Sequence, residues 1–190
     1  MDKNNIKKYI LYALPLILVI VVGVGFNVNT KQKTLEASAK ASAKPIKIGD
    51  YAPEILQPTP EGDTIALSSL KGKIVLVDFW ASWCGPCRIE NKNLVKTYKR
   101  FKNAGFKNAS EFTIYSVSLD QKAQYWTNAI NKDGLTWKYH VSDLKKWNSE
   151  PAATYGVRSI PSNFLLDETG KVVAKNLKSK ELDEALAKLQ

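Results

Sequence analysis

Residues 74–101 constrain the fold most. A near-continuous apolar run, Ile-Val-Leu-Val-Asp-Phe-Trp (74–80), leads within a few residues to Trp83-Cys84-Gly85-Pro86-Cys87, and an amphipathic stretch begins there. Such a run has the character of a strand buried on both faces. Beyond it, Leu94, Val95, Tyr98 and Phe101 share one stripe and Lys92, Lys96 and Lys99 the opposite one, which predicts a helix from Gly85 to about Ala104. The two cysteines therefore stand where a buried strand hands over to a helix.

That location has chemical consequences. At a helix amino terminus the unpaired backbone N–H groups and the macrodipole favour an anion, so Cys84 is expected to ionise near neutral pH and act as a nucleophile. Cys87, one turn on and deeper, lies within disulfide reach and suits a resolving thiol. Pro86 belongs in a first helical turn, where its missing N–H costs nothing. A zinc site would need two more ligands and the chain offers one histidine, His140; c-type haem attachment needs a histidine at position 88, where Arg88 stands. A purely structural disulfide closing so small a ring would contribute little. Redox chemistry is the expectation, with no metal and no cofactor beyond the cysteine pair.

Two carboxylates stand near the pair. Asp78 interrupts the buried run, where an ionised acid costs several kcal/mol. Glu90 falls on the helical wheel beside Cys87 and the apolar stripe, which predicts that it points inward. Both are expected to have raised pKa values and to move the proton on and off Cys87; the plainer alternative is a structural carboxyl held by a backbone carbonyl or a surface lysine.

The remaining pattern alternates strands and helices. Segments near 54–57 and 64–67 flank a Pro60/Gly62/Asp63 turn and predict a hairpin. A strand over Phe112–Leu119, a helix over 122–132, a short strand at 137–141 and a short helix at 149–155 follow. Strands at Asn163–Leu166 and Lys171–Ala174 meet in the 167–170 turn, and a helix runs from about Lys180 to Leu189. The order predicts an α/β fold with a central mixed sheet flanked by helices.

Ahead of this domain, Tyr9 to Val28 is a 20-residue stretch free of charge, about 30 Å long as a helix and able to span a bilayer. A cleaved signal peptide is the competing reading, but the run exceeds the usual apolar core and the small-residue pairs lie far beyond its end. The expected layout is a cytoplasmic tail at 1–8, a transmembrane anchor at 9–28, a flexible linker at 29–47 and the folded domain at 48–190. Flanking lysines do not set the orientation; the short tail and the long following domain favour a catalytic domain outside the cytoplasm.

The formal net charge is +10, but seven lysines against Asp2 and Glu36 put half of it in residues 1–44. Elsewhere lysines interleave with acids and form no base-reading stripe, so nucleic acid is not an expected partner.

Two segments carry a family resemblance. VDFWASWCGPC resembles the thioredoxin active-site segment, with Asp78 matching that family's buried aspartate. YGVRSIPSNFLLDETGKVV resembles the thioredoxin segment around its cis-proline, which makes Pro161 the expected cis residue and leaves the Ile160 backbone free to pair with a substrate strand. The anchor, Glu90 and an αβ insertion of about 25 residues between Asp120 and Tyr155 are more similar to the TlpA/ResA group of membrane-anchored thiol-disulfide oxidoreductases. The buried lysine of thioredoxins has no counterpart, since the matching strand reads Tyr115-Ser116-Val117-Ser118.

The resemblance implies a thioredoxin-like fold. Cys84, Cys87, Asp78, Glu90 and Pro161 would be catalytic, with Trp83, Gly85, Pro86 and Ile160 against the substrate. Trp126, Trp137 and Trp147 read as core of the insertion, and His140 as a structural or surface histidine. The implied activity is reduction of extracytoplasmic protein disulfides, such as those of apocytochrome c, fed by a transmembrane electron donor at the bacterial cytoplasmic membrane. Alternatives are a thiol oxidase or isomerase, an electron donor to a peroxidase, and a tethered binding module without catalysis. A direct peroxidase is disfavoured because Val77 and Ala81 replace the Pro and Thr/Ser of that motif.

Overall fold

The computed structural model describes residues 45–190, and the tail, the anchor and most of the linker inferred above lie outside them. The chain is already packed at Ile46, which is buried and whose carbonyl accepts from Lys175 Nζ at 3.0 Å, so the ordered domain begins inside the stretch read as linker. Among the described residues no helix is long and apolar enough to cross a membrane.

The apolar run becomes the middle of the sheet. Strand β3 (Ile74–Trp80) is buried at all seven positions, as is its parallel neighbour β4 (Phe112–Ser118). Strand β6 (Ser162–Leu166) pairs antiparallel on the other side of β3, and β5 (Tyr139–Val141) and β7 (Val172–Lys175) form the edges, giving the order β5-β4-β3-β6-β7. A separate hairpin, β1 (Leu56–Pro58) and β2 (Thr64–Ala66), is tied to the sheet by Tyr115, whose hydroxyl donates to the Ile65 carbonyl at 2.8 Å.

Four α-helices complete the domain: α1 (Gly85–Phe101), α2 (Ala123–Asp133), α3 (Glu150–Thr154) and α4 (Ser179–Leu189). Helix α1 buries Leu94, Thr97 and Phe101, and α4 buries Leu182 and Leu186. Each large apolar side chain buried there stabilises the domain by about 1.5–3 kcal/mol. The Thr97 hydroxyl and Arg100 both bond to Asp183, joining the two helices. On the opposite face of β3, Phe79 packs against Tyr155 at 5.3 Å and Tyr155 against Phe164 at 5.1 Å. Helix α2 and strand β5 are the predicted αβ insertion, and β5 extends the sheet beside β4. Helix α2 ends at Gly134 (φ 67°), a left-handed position a side chain would strain.

Candidate active site

Strand β3 ends at Trp80, whose carbonyl still accepts the Leu119 N–H at 2.8 Å, and the chain then turns through Ala81-Ser82-Trp83 into α1. Cys84 is the N-cap of that helix (φ −87°, ψ 100°), and its sulfur accepts the backbone N–H of Cys87 at 3.2 Å. The sulfur thus occupies the place of a capping oxygen, where an orphan donor and the positive end of a 17-residue helix both stabilise negative charge. Cys84 and Cys87 are joined as a disulfide with a Cα–Cα distance of 5.2 Å. They are 6% and 1% exposed, so the pair lies just under the surface with Cys84 outermost. Gly85 and Pro86 are exposed beside it.

The second wall comes from the turn before β6. The Ile160–Pro161 peptide is cis, and the Ile160 carbonyl oxygen lies 3.8 Å from Cys84 Sγ. In the disulfide this is a contact only, since the sulfur carries no proton. Pro161 and Ile160 are half-buried, and between Pro161 and Glu90 lies a cleft of about 290 Å³.

Asp78 is buried on the α1 side of β3, opposite Ser116 of β4 and Asn163 of β6. Burial, reinforced by the negative charge of Glu90, pushes its carboxyl up to about 7. Neither register partner is a cation, in keeping with the missing lysine. Asn163 is itself occupied, donating to and accepting from the Leu177 backbone.

Glu90 does not point into the core as the wheel predicted. It is half-buried, and its Oε1 accepts the backbone N–H of Ser179 at 2.9 Å while Oε2 accepts from Asn93 Nδ2 at 3.2 Å. The partner was invisible in the local pattern because the start of α4 arrives from 89 residues away. A free N–H at a helix amino terminus draws a carboxylate outward to the rim. Glu181 accepts from the Lys178 N–H at the same helix start, so two acids serve it.

Trp83 is 47% exposed next to Cys84, with its indole N–H directed at the Leu119 carbonyl at 3.3 Å. Trp126 and Trp137 are buried as expected. Trp147, expected in the core, is 44% exposed and lies 6.2 Å from Trp83. The reason is local backbone: Leu144 (φ 54°) and Lys146 (φ 55°) are left-handed and swing this loop out over the active-site turn. His140 is buried, stacked on Trp137 at 5.5 Å, and burial depresses its imidazole to about 4 despite a bond to the Leu135 carbonyl.

Sequence reasoning missed Asp120. This buried carboxylate accepts from the Ser82 N–H at 2.9 Å, the Ser82 hydroxyl at 2.5 Å and the Ser118 hydroxyl at 2.7 Å, pinning the turn that carries Trp83 and Cys84. A polar Ser-x-Asp at the end of an apolar strand was the available signal. Arg88 bonds to the Asp133 carboxylate and to the Ser82 carbonyl, and Asn91 donates to the same acid. Burial opposes the Asp133 charge, but these donors outweigh it and hold the carboxyl below its usual range. Among the described residues no cluster of His, Cys, Asp or Glu could hold a metal ion.

This arrangement, a helix-capping sulfur bonded to a second cysteine and facing a cis-proline turn, agrees with the comparison to known proteins. The Redoxin family model matches residues 47–189. The chain belongs to the Redoxin family. Within it the chain is a ResA-like member of the thioredoxin superfamily and a thiol-disulfide oxidoreductase. The thiol-disulfide oxidoreductase ResA of Bacillus thuringiensis is 32% identical over 140 residues, covering 74% of this chain and 75% of that protein. The thioredoxin domain of a thiol-disulfide oxidoreductase from Bacteroides vulgatus superposes with a TM-score of 0.68 at 36% identity, covering 76% of this chain and 99% of that one. A thiol-disulfide oxidoreductase from Bacteroides fragilis does so with a TM-score of 0.66 at 33% identity, covering 74% and 100%.

Proposed function

We propose that this Redoxin-family protein is a disulfide reductase tethered to the bacterial cytoplasmic membrane by residues 9–28, acting on protein disulfides outside the cytoplasm. The observation that carries the reading is the capping of α1 by the Cys84 sulfur, with the Ile160 carbonyl beside it. In the reduced protein the Cys84 thiolate attacks one sulfur of a client disulfide. The new Cys84–client bond forms as the client S–S bond breaks, and the other client sulfur leaves as a thiolate. Cys87, deprotonated by Asp78, then attacks Cys84 Sγ; the Cys84–Cys87 disulfide forms and the second client thiol is released. Two electrons pass from the protein to the client.

Asp78 suits that role because a carboxyl titrating at about 7 can hold or accept a proton at working pH. Burial keeps that value high, and the charge of Glu90 adds to it. A client strand laid across Cys84 would meet the Ile160 backbone, whose carbonyl lies 3.8 Å from Cys84 Sγ, with Trp83, Gly85 and Pro86 exposed beside the pair. Apocytochrome c is the client the ResA likeness favours, and a transmembrane donor would restore the dithiol. The Gly85-Pro86 dipeptide supports the reducing direction.

The test is a Cys87→Ser full-length protein expressed in cells. The reading expects a client held as a mixed disulfide on Cys84, released by reductant and absent from a Cys84→Ser, Cys87→Ser control. Equilibration against glutathione should give a potential nearer about −270 mV than about −120 mV. A value above about −180 mV would move the assignment to an oxidase or isomerase.

A further inference from the structure

A second cleft beside the cysteine pair takes no part in the exchange just described. It encloses about 530 Å³ between the Ser82–Arg88 segment, α2 and the loop after β5, and shares no lining residue with the cleft by Pro161. Lys122, Lys132 and Lys146 stand along it, and none makes an ion pair among the described residues. Lys122 Nζ lies 5.5 Å from the Tyr125 ring centre and Lys146 Nζ 5.6 Å from that of Trp83, so two of the ammonium groups rest on aromatic faces. The one carboxylate in the lining, Asp120, has both oxygens committed to Ser82 and Ser118.

The left-handed Lys146 places its own ammonium and the neighbouring Trp147 beside Trp83 of the active-site turn. Unpaired cations, one of them over Trp83, the residue before the nucleophile, are complementary to carboxylates carried by a peptide.

We propose that this cleft docks an acidic stretch of the client polypeptide, with Asp or Glu about two to four residues from the attacked cystine at ~3.3 Å per residue. The protein thereby prefers disulfides flanked by acids. The proposal rests on the thiol-disulfide reading of Cys84 and adds the substrate class.

The test follows reduction of three cystine peptides, alike except for Glu, Gln or Lys at the flanking positions, by the reduced full-length protein. At about 50 mM salt the Glu peptide should react at least about threefold faster than the Gln peptide, as expected for a few exposed ion pairs, and the Lys peptide more slowly still. At about 500 mM salt the three should converge. In the Lys122→Gln, Lys132→Gln, Lys146→Gln variant the Glu-to-Gln rate ratio should fall to near one. In a Lys96→Gln, Lys99→Gln, Lys107→Gln variant of equal net charge, the ratio should persist. Each ratio is taken within one preparation, so partial misfolding cancels.

Equal rates for all three peptides, or an acidic preference that survives loss of the cleft lysines, overturn the docking proposal while leaving the exchange chemistry intact. Failure to reduce any peptide, and a neutral small disulfide besides, overturns the exchange reading and the docking with it.

Discussion

The backbone N–H of Cys87 donates to Cys84 Sγ at 3.2 Å, so the helix that carries the second cysteine is capped by the first. Reactivity and fold share one contact. Reduction leaves a sulfur whose ionised form is the better cap, so the protein holds the thiolate in place before a client arrives.

Asp78 links the chemistry to stability. Its folded pKa of about 7 lies above the ordinary 3.8, so the folded state binds the extra proton. The stability from this group is complete below about pH 4 and is lost as pH rises through about 7. Asp78→Asn should remove that slope and leave the variant more stable than the parent above pH 8, by up to a few kcal/mol. It should also slow the resolution step by about a hundredfold. Urea unfolding at several pH values, with single-turnover exchange alongside, checks both; identical pH slopes would contradict the assignment.

Glu90→Gln separates position from charge. The glutamine can still accept from the Ser179 N–H, so melting should change little, whereas Glu90→Ala should cost about 0.5–2 kcal/mol as a lost helix cap. Removing the negative charge should also lower the pKa of Asp78, moving the midpoint of the exchange pH profile down. A midpoint that stays put would show that Glu90 serves the fold alone.

His140 runs opposite to Asp78. Its folded pKa of about 4 lies below the ordinary 6.5, so the unfolded chain binds more protons between those values and stability falls as pH drops through that window. Proton NMR should find its imidazole neutral at pH 6, with a titration near 4. An ordinary midpoint near 6.5 would mean the ring is not sealed against Trp137.

Asp120→Ala should leave the Ser82 N–H and the Ser82 and Ser118 hydroxyls without their acceptor, destabilising the domain by about 1–3 kcal/mol. It should also loosen the turn under Trp83, read as faster hydrogen exchange at Ser82. Unchanged exchange there would contradict the pinning role.

The parts of this molecule legible in the sequence are those set by local pattern. The run 74–80 has the character of an inner strand, and Cys84-Gly85-Pro86-Cys87 with the Leu94/Tyr98/Phe101 stripe marks the helix start that makes the first sulfur a cap. Contacts from afar were not legible. The wheel put Glu90 on the inner side, but the helix start that draws its carboxylate to the rim is 89 residues on. Trp147 read as core until two left-handed residues turned its loop outward. Asp120 was passed over because Ser82, whose N–H and hydroxyl it accepts, is 38 residues earlier.

The most direct measurement is the pH dependence of alkylation of Cys84 in the reduced full-length protein, with Cys87 followed by mass spectrometry. A helix-capping thiolate predicts that Cys84 reacts first, with a midpoint at least about one unit below the ordinary thiol value of about 8.5. A midpoint at or above that value, or Cys87 reacting as readily as Cys84, would contradict the account.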